Sequence, residues 1–329
     1  MLKIAQIGIG HDHAGGILRE LKLHKAVFDI AGICLPSEEK EYSYFYDMNM
    51  REAEGVKRLT VEEILTDESI TAVTIETTEK YLTKYALLAA KAGKHIHMDK
   101  PGGMELSDFR ELIKTAKENR CVLHLGYMYR YNPAVKKLMQ EIKNGELGEI
   151  ISVEAHMSGI YQPTAEHCKW LCNFPGGMMF FLGGHLVDMV FEIMGVPERI
   201  VPFNKATGVD GVNSEEFGMA VMEYKNGASV VKSYAREIRG RVRRQLLVNG
   251  TKKTVEIRPL EFTIDGKLHT KTTTYWAQEK TEDISEGFER YEEMLKSFAE
   301  MAEGKTKNPR SYDYELSVYK CLLKACGIK

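Results

Sequence analysis

Leu2-Lys3-Ile4-Ala5-Gln6-Ile7-Gly8-Ile9-Gly10-His11-Asp12-His13-Ala14-Gly15 runs from a short apolar segment into a glycine turn, and the turn runs into the helical pattern of Ile17 to Leu23. This order of strand, tight turn and helix suits a bound dinucleotide. Glycines let backbone N–H groups approach a pyrophosphate, and the helix N-terminus adds favourable partial charge. Gly8, Ile9, Gly10, His11, Asp12 and His13 are therefore candidate cofactor contacts, with His13 in the place of a third glycine. A glycine pattern alone also fits an ordinary tight turn.

Outward from this turn, strands alternate with helices. Apolar runs at Phe28 to Leu35 (stopped by Pro36), Ile70 to Ile75, His95 to Met98 and Val122 to Leu125 read as strands. Helical patterns lie between them, around Val61, Ile64 and Leu65, over Tyr81 to Ala92 (ended by Gly93) and over Leu106 to Asn119. Alternation of this kind predicts right-handed crossovers and a parallel sheet covered on both faces, a Rossmann-type domain over residues 1–125. The later half changes character. Ile150 to His156, Glu216 to Tyr224, Ala228 to Ala235, Arg244 to Val248 and Thr254 to Ile257 read as strands joined by tight turns such as Lys225-Asn226-Gly227 and Asn249-Gly250. Helices at Ala134 to Lys143, Met178 to Met194, Gly287 to Ala302 and Tyr314 to Ala325 would cover one face. The expected fold class is α/β: a Rossmann-type parallel sheet, then an α+β domain over residues 126–329 with a large, mostly antiparallel sheet.

At 329 residues the chain suits two cores better than one. With 43% hydrophobic and 28% charged residues and a formal net charge of −2, it has a globular composition and no general attraction for polyanions, so a nucleic-acid partner is not expected. Six scattered cysteines read as reduced thiols. The chain enters a strand by Ile4 without a charged and then long apolar segment, so neither signal peptide nor membrane association is expected, and the location is expected to be cytoplasmic. An open antiparallel sheet leaves a broad face that is costly to expose, which predicts a homodimer or homotetramer using Ala228-Ser229-Val230-Val231 and its neighbours.

Gly93-Lys94-His95-Ile96-His97-Met98-Asp99-Lys100-Pro101 joins a helix stop, a strand and a charged pair followed by proline. Here the chain resembles the glucose-fructose oxidoreductase and inositol dehydrogenase (Gfo/Idh/MocA) family, whose corresponding strand ends in Glu-Lys-Pro. The resemblance implies that Lys100 lies beside the nicotinamide and the reacting oxygen of the substrate, with Asp99 in place of the glutamate. Such a lysine donates to a developing alkoxide or passes a proton. Read alone, it is a solvated strand-end lysine. Gly126-Tyr127-Met128-Tyr129-Arg130-Tyr131-Asn132-Pro133 is similar to the family's junction between domains, which would turn Tyr129 towards the substrate, while aromatic residues there also serve to fill a seam. Gly176-Gly177-Met178-Met179-Phe180-Phe181-Leu182-Gly183-Gly184-His185-Leu186-Val187-Asp188 resembles the family's glycine-led helix, and His185 matches its histidine. The resemblance makes His185 the base that takes a hydroxyl proton, with Asp188 three residues on, on the same helical face, orienting the ring. A hydrogen-bonded core histidine is the plainer alternative.

The resemblance thus implies an NAD(P)-dependent oxidoreductase that moves hydride between nicotinamide and a carbon of a sugar, polyol or other carbohydrate-like small molecule. Lys100 and His185 would serve one substrate oxygen in a cleft between the domains. The family also includes sugar hydrolases and lyases that oxidise transiently, and a repressor that kept the fold without turnover, so these stand as alternatives. Several positions depart from the family pattern. Phe181 replaces the usual aspartate and becomes a candidate lining residue for the substrate. Leu35 and Pro36 stand where an acid often binds the adenosine ribose, but Glu38 and Glu39 nearby would repel a 2′-phosphate, favouring NAD and leaving NADP open. At Thr77-Thr78-Glu79 only Thr77 retains the family's Thr-Pro turn and stays a cofactor contact, and Leu82 lies where a histidine is frequent. His11, Asp12 and His13, like His167, Cys168 and Cys172, lack convincing ligand spacing along the sequence, so no metal is expected.

Overall fold

The computed structural model describes residues 1–159, 164–237 and 240–328. They form two compact units, Met1–Tyr127 with Tyr291–Tyr319, and Met128–Arg290 with Lys320–Lys329. The second stretch is therefore not one block from 126 to 329, because the chain returns to the first unit near its end.

In the first unit the chain runs through β1 (Leu2–Ile7), α1 (Ala14–Leu23), β2 (Phe28–Cys34), α2 (Tyr46–Asn49), α3 (Val61–Thr66), β3 (Ala72–Ile75), α4 (Glu79–Lys91), β4 (His95–Met98), α5 (Leu106–Glu118) and β5 (Leu123–Leu125). The five strands pair in the order β2-β1-β3-β4-β5, all parallel. Strands covered on both faces need apolar side chains throughout, and all four residues of β3 are buried. The helices bury one stripe each: Ile17, Leu18 and Leu21 on α1, and Phe109, Leu112, Ile113 and Ala116 on α5. Thr60 and Glu63 close a capping box on α3. The carboxyl ends of β1, β3 and β4 bring Gly8, Thr77 and Asp99-Lys100 to one edge of the sheet, the edge at which open α/β sheets bind ligands.

The second unit comprises α6 (Pro133–Lys143), β6 (Ile150–Ser158), α7 (Ala165–Leu171), α8 (Met178–Phe181), α9 (Gly183–Met194), β7 (Arg199–Pro202), β8 (Phe217–Tyr224), β9 (Gly227–Tyr234), α10 (Gly240–Arg243), β10 (Gln245–Gly250), β11 (Thr254–Ile257), β12 (Phe262–Ile264), β13 (Lys267–His269), β14 (Lys271–Trp276) and β15 (Glu279–Ile284). Two late helices follow, α11 (Glu292–Ala302) in the first unit and α12 (Tyr312–Ala325), which begins in the first and ends in the second. Eight strands pair as β15-β14-β11-β10-β6-β9-β8-β7, antiparallel except for β6 with β9. Val153, Ala155, Ala220, Met222, Val231, Leu246 and Val248 alternate inward as a buried face, with α9 packed on β6 and β9.

The helix expected over Met178–Met194 is two helices, parted at Leu182 just before Gly183-Gly184, where helix propensity is weakest. The helix expected from Gly287 starts at Glu292, because Phe288 is drawn into a bridge with Leu268. Strands β7 and β12 to β15 were not visible in the pattern. All six residues of β15 are exposed, so no apolar alternation marks it. Among the described residues no helix is long and apolar enough to cross a membrane, and all six cysteines are free thiols.

Candidate active site

The glycine turn after β1 is held from all sides by side chains. Gln6 Nε2 donates to the carbonyl of Gly8 (3.0 Å), Asn49 Nδ2 to those of Ile9 (3.0 Å) and His11 (2.7 Å), and Ser43 Oγ to that of Gly10 (2.6 Å). Gly8 sits at φ +93°, and a Cβ there would lie 2.5 Å from the backbone nitrogen of Thr77. One on Gly10 would lie 2.8 Å from Thr78 Cγ2 and 2.9 Å from Glu39 Oε2. Both glycines are thus required by the close approach of Thr77-Thr78. The N–H groups of Ile9 (3.0 Å) and Gly10 (3.2 Å) donate to the buried carboxyl of Glu39, so the first amides of the turn are already engaged by an acid. Burial pushes the Glu39 carboxyl up to about 8 against the pull of those two N–H bonds. Glu38 faces elsewhere, bonded to Lys84 (2.8 Å) and Tyr85 (2.5 Å), which hold it down at about 2.

Beyond the turn, His11, His13, Thr77, Asp99 and Lys100 are all buried, and Asp12 is 18% exposed at its side chain. His11 Nε2 lies 3.0 Å from the carbonyl of Lys100 and is therefore its donor. Burial drops its pKa to about 4. Asp99 accepts from the Lys100 N–H (2.7 Å) and from His13 Nδ1 (2.9 Å). Burial opposes its ionisation, but His11, His13 and Lys100 together hold it well below the usual range. Asp12 is likewise lowered, by His13, Lys100 and His11 against burial, and its Oδ1 lies 3.9 Å from Lys100 Nζ. Glu76, at the end of β3, is pushed well up by burial and by Asp99, and Glu79 is raised to about 8 by burial. His97 Nε2 lies 3.8 Å from Glu76 Oε1, and its Nδ1 lies 2.8 Å from Nδ1 of His124. The edge of the first sheet is thus a packed set of acids, imidazoles and one amine.

In the second unit Tyr129 and His185 are buried in edge-to-face contact, 5.3 Å between ring centroids at 85°. The Tyr129 hydroxyl accepts from Arg244 Nη1 (3.1 Å). Burial, with Glu261 nearby, raises its pKa. Asp188 does not serve His185 in the way expected from spacing. Its carboxylate is gripped by Arg130, with Nε at 2.9 and 3.1 Å and Nη2 at 2.6 Å, both side chains almost fully buried. A bidentate guanidinium outcompetes a ring nitrogen for a buried carboxylate. Phe181 belongs to an aromatic cluster, edge-on to Trp170 at 4.9 Å and 5% exposed, beside Phe174 stacked on Phe180.

Residues 2–127 match a family described as an oxidoreductase family with an NAD-binding Rossmann fold, and residues 135–256 match the GFO/IDH/MocA C-terminal domain. The chain belongs to the Gfo/Idh/MocA family. A 1,5-anhydro-D-fructose reductase of Ensifer adhaerens is 27% identical over 178 residues, 53% of this chain and 53% of its own length. A myo-inositol 2-dehydrogenase of Thermotoga maritima is 25% identical over 202 residues, 58% of each chain. The chain spans about half the length of the curated relatives it matches. A 3-ketoreductase of Actinomadura kijaniata, solved with NADP and TDP-benzene, superposes with a TM-score of 0.79 at 14% identity over 97% of this chain and 94% of that one, a likeness of fold.

Glu76 carries no signal in the sequence; His97, Glu79 and Arg130 stand in quoted segments without a role of their own, and Glu39 is read there only as a charge against a 2′-phosphate. Glu39 lies in a run of charges that resembles a solvated loop. Arg130 sits in the quoted junction, where an arginine two residues before Asn-Pro, in an otherwise aromatic segment, was the available signal.

Proposed function

We propose that this Gfo/Idh/MocA member is an NAD-dependent oxidoreductase acting on a carbohydrate-like hydroxyl or ketone, with Lys100 and His185 as its catalytic residues and Tyr129 beside the substrate. The observation that carries this reading is the environment of Lys100, fully buried at the end of β4 with its amine 3.9 Å from Asp12 and its backbone bonded to Asp99 and His11. A solvated strand-end lysine would not be enclosed in this way. The turn suits a dinucleotide at its helix end: its carbonyls are tied back, and α1 begins with neither a side-chain cap nor an acid in its first turn, while the space over residues 8 and 10 is taken by Thr77, Thr78 and Glu39. Thr77 closes on the turn from β3. Bound nicotinamide supplies or accepts the hydride. Lys100 donates a hydrogen bond to the substrate oxygen as charge develops, and His185 takes or returns the hydroxyl proton.

NAD is favoured over NADP by the segment after β2, where relatives often place an acid a few residues earlier: Glu38 there is held ionised by Lys84 and Tyr85, and a 2′-phosphate beside it would meet a carboxylate. A second reading, a dinucleotide-binding regulator without turnover, is favoured by the packing of Phe181 into an aromatic cluster where relatives usually carry an aspartate. Calorimetric titration with NAD and NADP, followed by a steady-state screen of sugars and polyols, separates the readings. NAD binding with turnover supports the enzyme, binding without turnover on any of them supports the regulator, and binding of neither nucleotide removes both.

A further inference from the structure

We propose that His11, His13, Asp99 and Asp12 form a binding site for a divalent metal ion of the zinc class. Read along the sequence, His11-Asp12-His13 supplies too few ligands, but the fold adds Asp99 from the end of β4. One atom each of His11, His13 and Asp99, all buried, lies within 4.8 Å of the others. His11 Nδ1 is 3.3 Å from Asp99 Oδ2 and 3.0 Å from Asp12 Oδ1, and His13 Nδ1 is 2.9 Å from Asp99 Oδ2. Bonds of about 2.0–2.2 Å in a tetrahedron place ligand atoms roughly 3.3–3.6 Å apart, so small shifts of these side chains admit an ion.

The arrangement of hydrogen bonds points the same way. Nε2 of His11 donates to the carbonyl of Lys100, so Nδ1 of the neutral ring is an acceptor, reached by the His13 N–H at 3.3 Å. Of two carboxylate oxygens near this nitrogen, the closer, Asp12 Oδ1, is buried and faces it without a hydrogen bond of its own, an approach that a cation between them would relieve. A histidine whose other ring nitrogen is bonded to a backbone carbonyl is the usual state of a metal ligand. Asp99 is similarly oriented, with Oδ1 taking the Lys100 N–H and Oδ2 turned to the imidazoles. Two imidazoles and two carboxylates form a borderline donor set suited to zinc, cobalt or manganese, and the carboxylates balance a double charge. The ion would fasten the glycine turn to the end of β4.

The test is titration of the chelator-treated 329-residue chain with Co²⁺ and, separately, Zn²⁺, followed by calorimetry, visible absorption and melting temperature. One ion per chain is expected, with a cobalt spectrum free of thiolate charge-transfer bands and a melting temperature that rises with metal. Asp99→Asn and His13→Asn should each weaken binding at least about tenfold. His24→Ala, in a separate cluster with Glu20 and Glu292, should leave binding unchanged. Melting of each variant in chelator shows whether it is folded, and His11→Asn replaces any variant that is not. Absence of binding, a thiolate band, affinity undiminished in the folded variants, or loss of binding in His24→Ala would each overturn the proposal. None of these measurements depends on nucleotide or turnover, so failure of the metal site leaves the oxidoreductase reading to its own test.

Discussion

Lys100 and Arg130 are both cations in buried surroundings, and they make different demands on the protein. Lys100 is placed to act as charge develops on a substrate oxygen, so Lys100→Met should lower kcat by about 10²–10⁴ while the Kd for NAD stays within a few-fold of wild type. His185→Ala should behave similarly. Near wild-type turnover in either variant on an identified substrate would remove that residue from the mechanism. Arg130 instead neutralises Asp188, and Arg130→Met would leave a carboxylate buried without its partner. The expected loss is roughly 3–5 kcal/mol in urea unfolding, much of it regained when Asp188→Leu is added. If the single variant loses less than 1 kcal/mol, the pair does not hold this part of the unit together.

At the level of elements, the turn between β1 and α1 is the most constrained piece of the chain. Gly8→Ala combines a positive φ with a Cβ 2.5 Å from a backbone atom, and no side-chain movement relieves that clash. It should cost roughly 1–3 kcal/mol and abolish NAD binding in calorimetry. Gly93→Ala is the control, because Gly93 has φ +71° but open space at its Cβ. It should lose about 1–2 kcal/mol from backbone strain alone and keep its affinity for NAD. Equal loss of NAD binding in the two variants would mean that the turn acts through general stability.

Across the whole molecule, buried titrating groups set the pH response. Glu39 and Glu79 hold protons to about pH 8 when folded but only to about 4.5 when unfolded, so they subtract stability as pH rises between those values. His11 and His97, lowered from 6.5 to about 4 by burial, do the reverse: the unfolded chain binds more protons in that interval, so stability rises with pH up to about 6.5. The opposing slopes offset one another below 6.5, and only the loss remains above it. Without nucleotide, stability should be greatest at about pH 5 to 6 and fall towards pH 8 by on the order of 1–2 kcal/mol per pH unit above about 6.5, with a shallower fall in Glu39→Gln. A rising melting temperature from pH 6.5 to 8 would contradict this. Assembly belongs to the same scale. The face of the large sheet opposite the buried set carries the half-buried Met219, Val221, Val230 and Leu247. A homodimer or homotetramer covering this face is expected by light scattering at micromolar concentration, and a monomer would refute it.

Alternation of apolar runs, glycine at the first turn and proline after Lys100 are local signals, and from them the parallel sheet, the mostly antiparallel sheet and the family were legible. They are written in neighbouring residues because turns, caps and buried faces are dictated over a few positions of chain. The exposed strand β15 left no such trace, since a strand without a buried face has no alternation to show. What surrounds the named residues was decided by the tertiary structure alone. Glu39 meets the amides of Ile9 and Gly10 across about 30 residues of chain, His13 meets Asp99 across 86, and Arg130 takes Asp188 across 58. None of these pairings is visible among neighbouring residues of the sequence. Burial turns these charged groups into a neutral acid, a pinned carboxylate and a closed ion pair, because removing water makes every polar group depend on the partner the fold delivers.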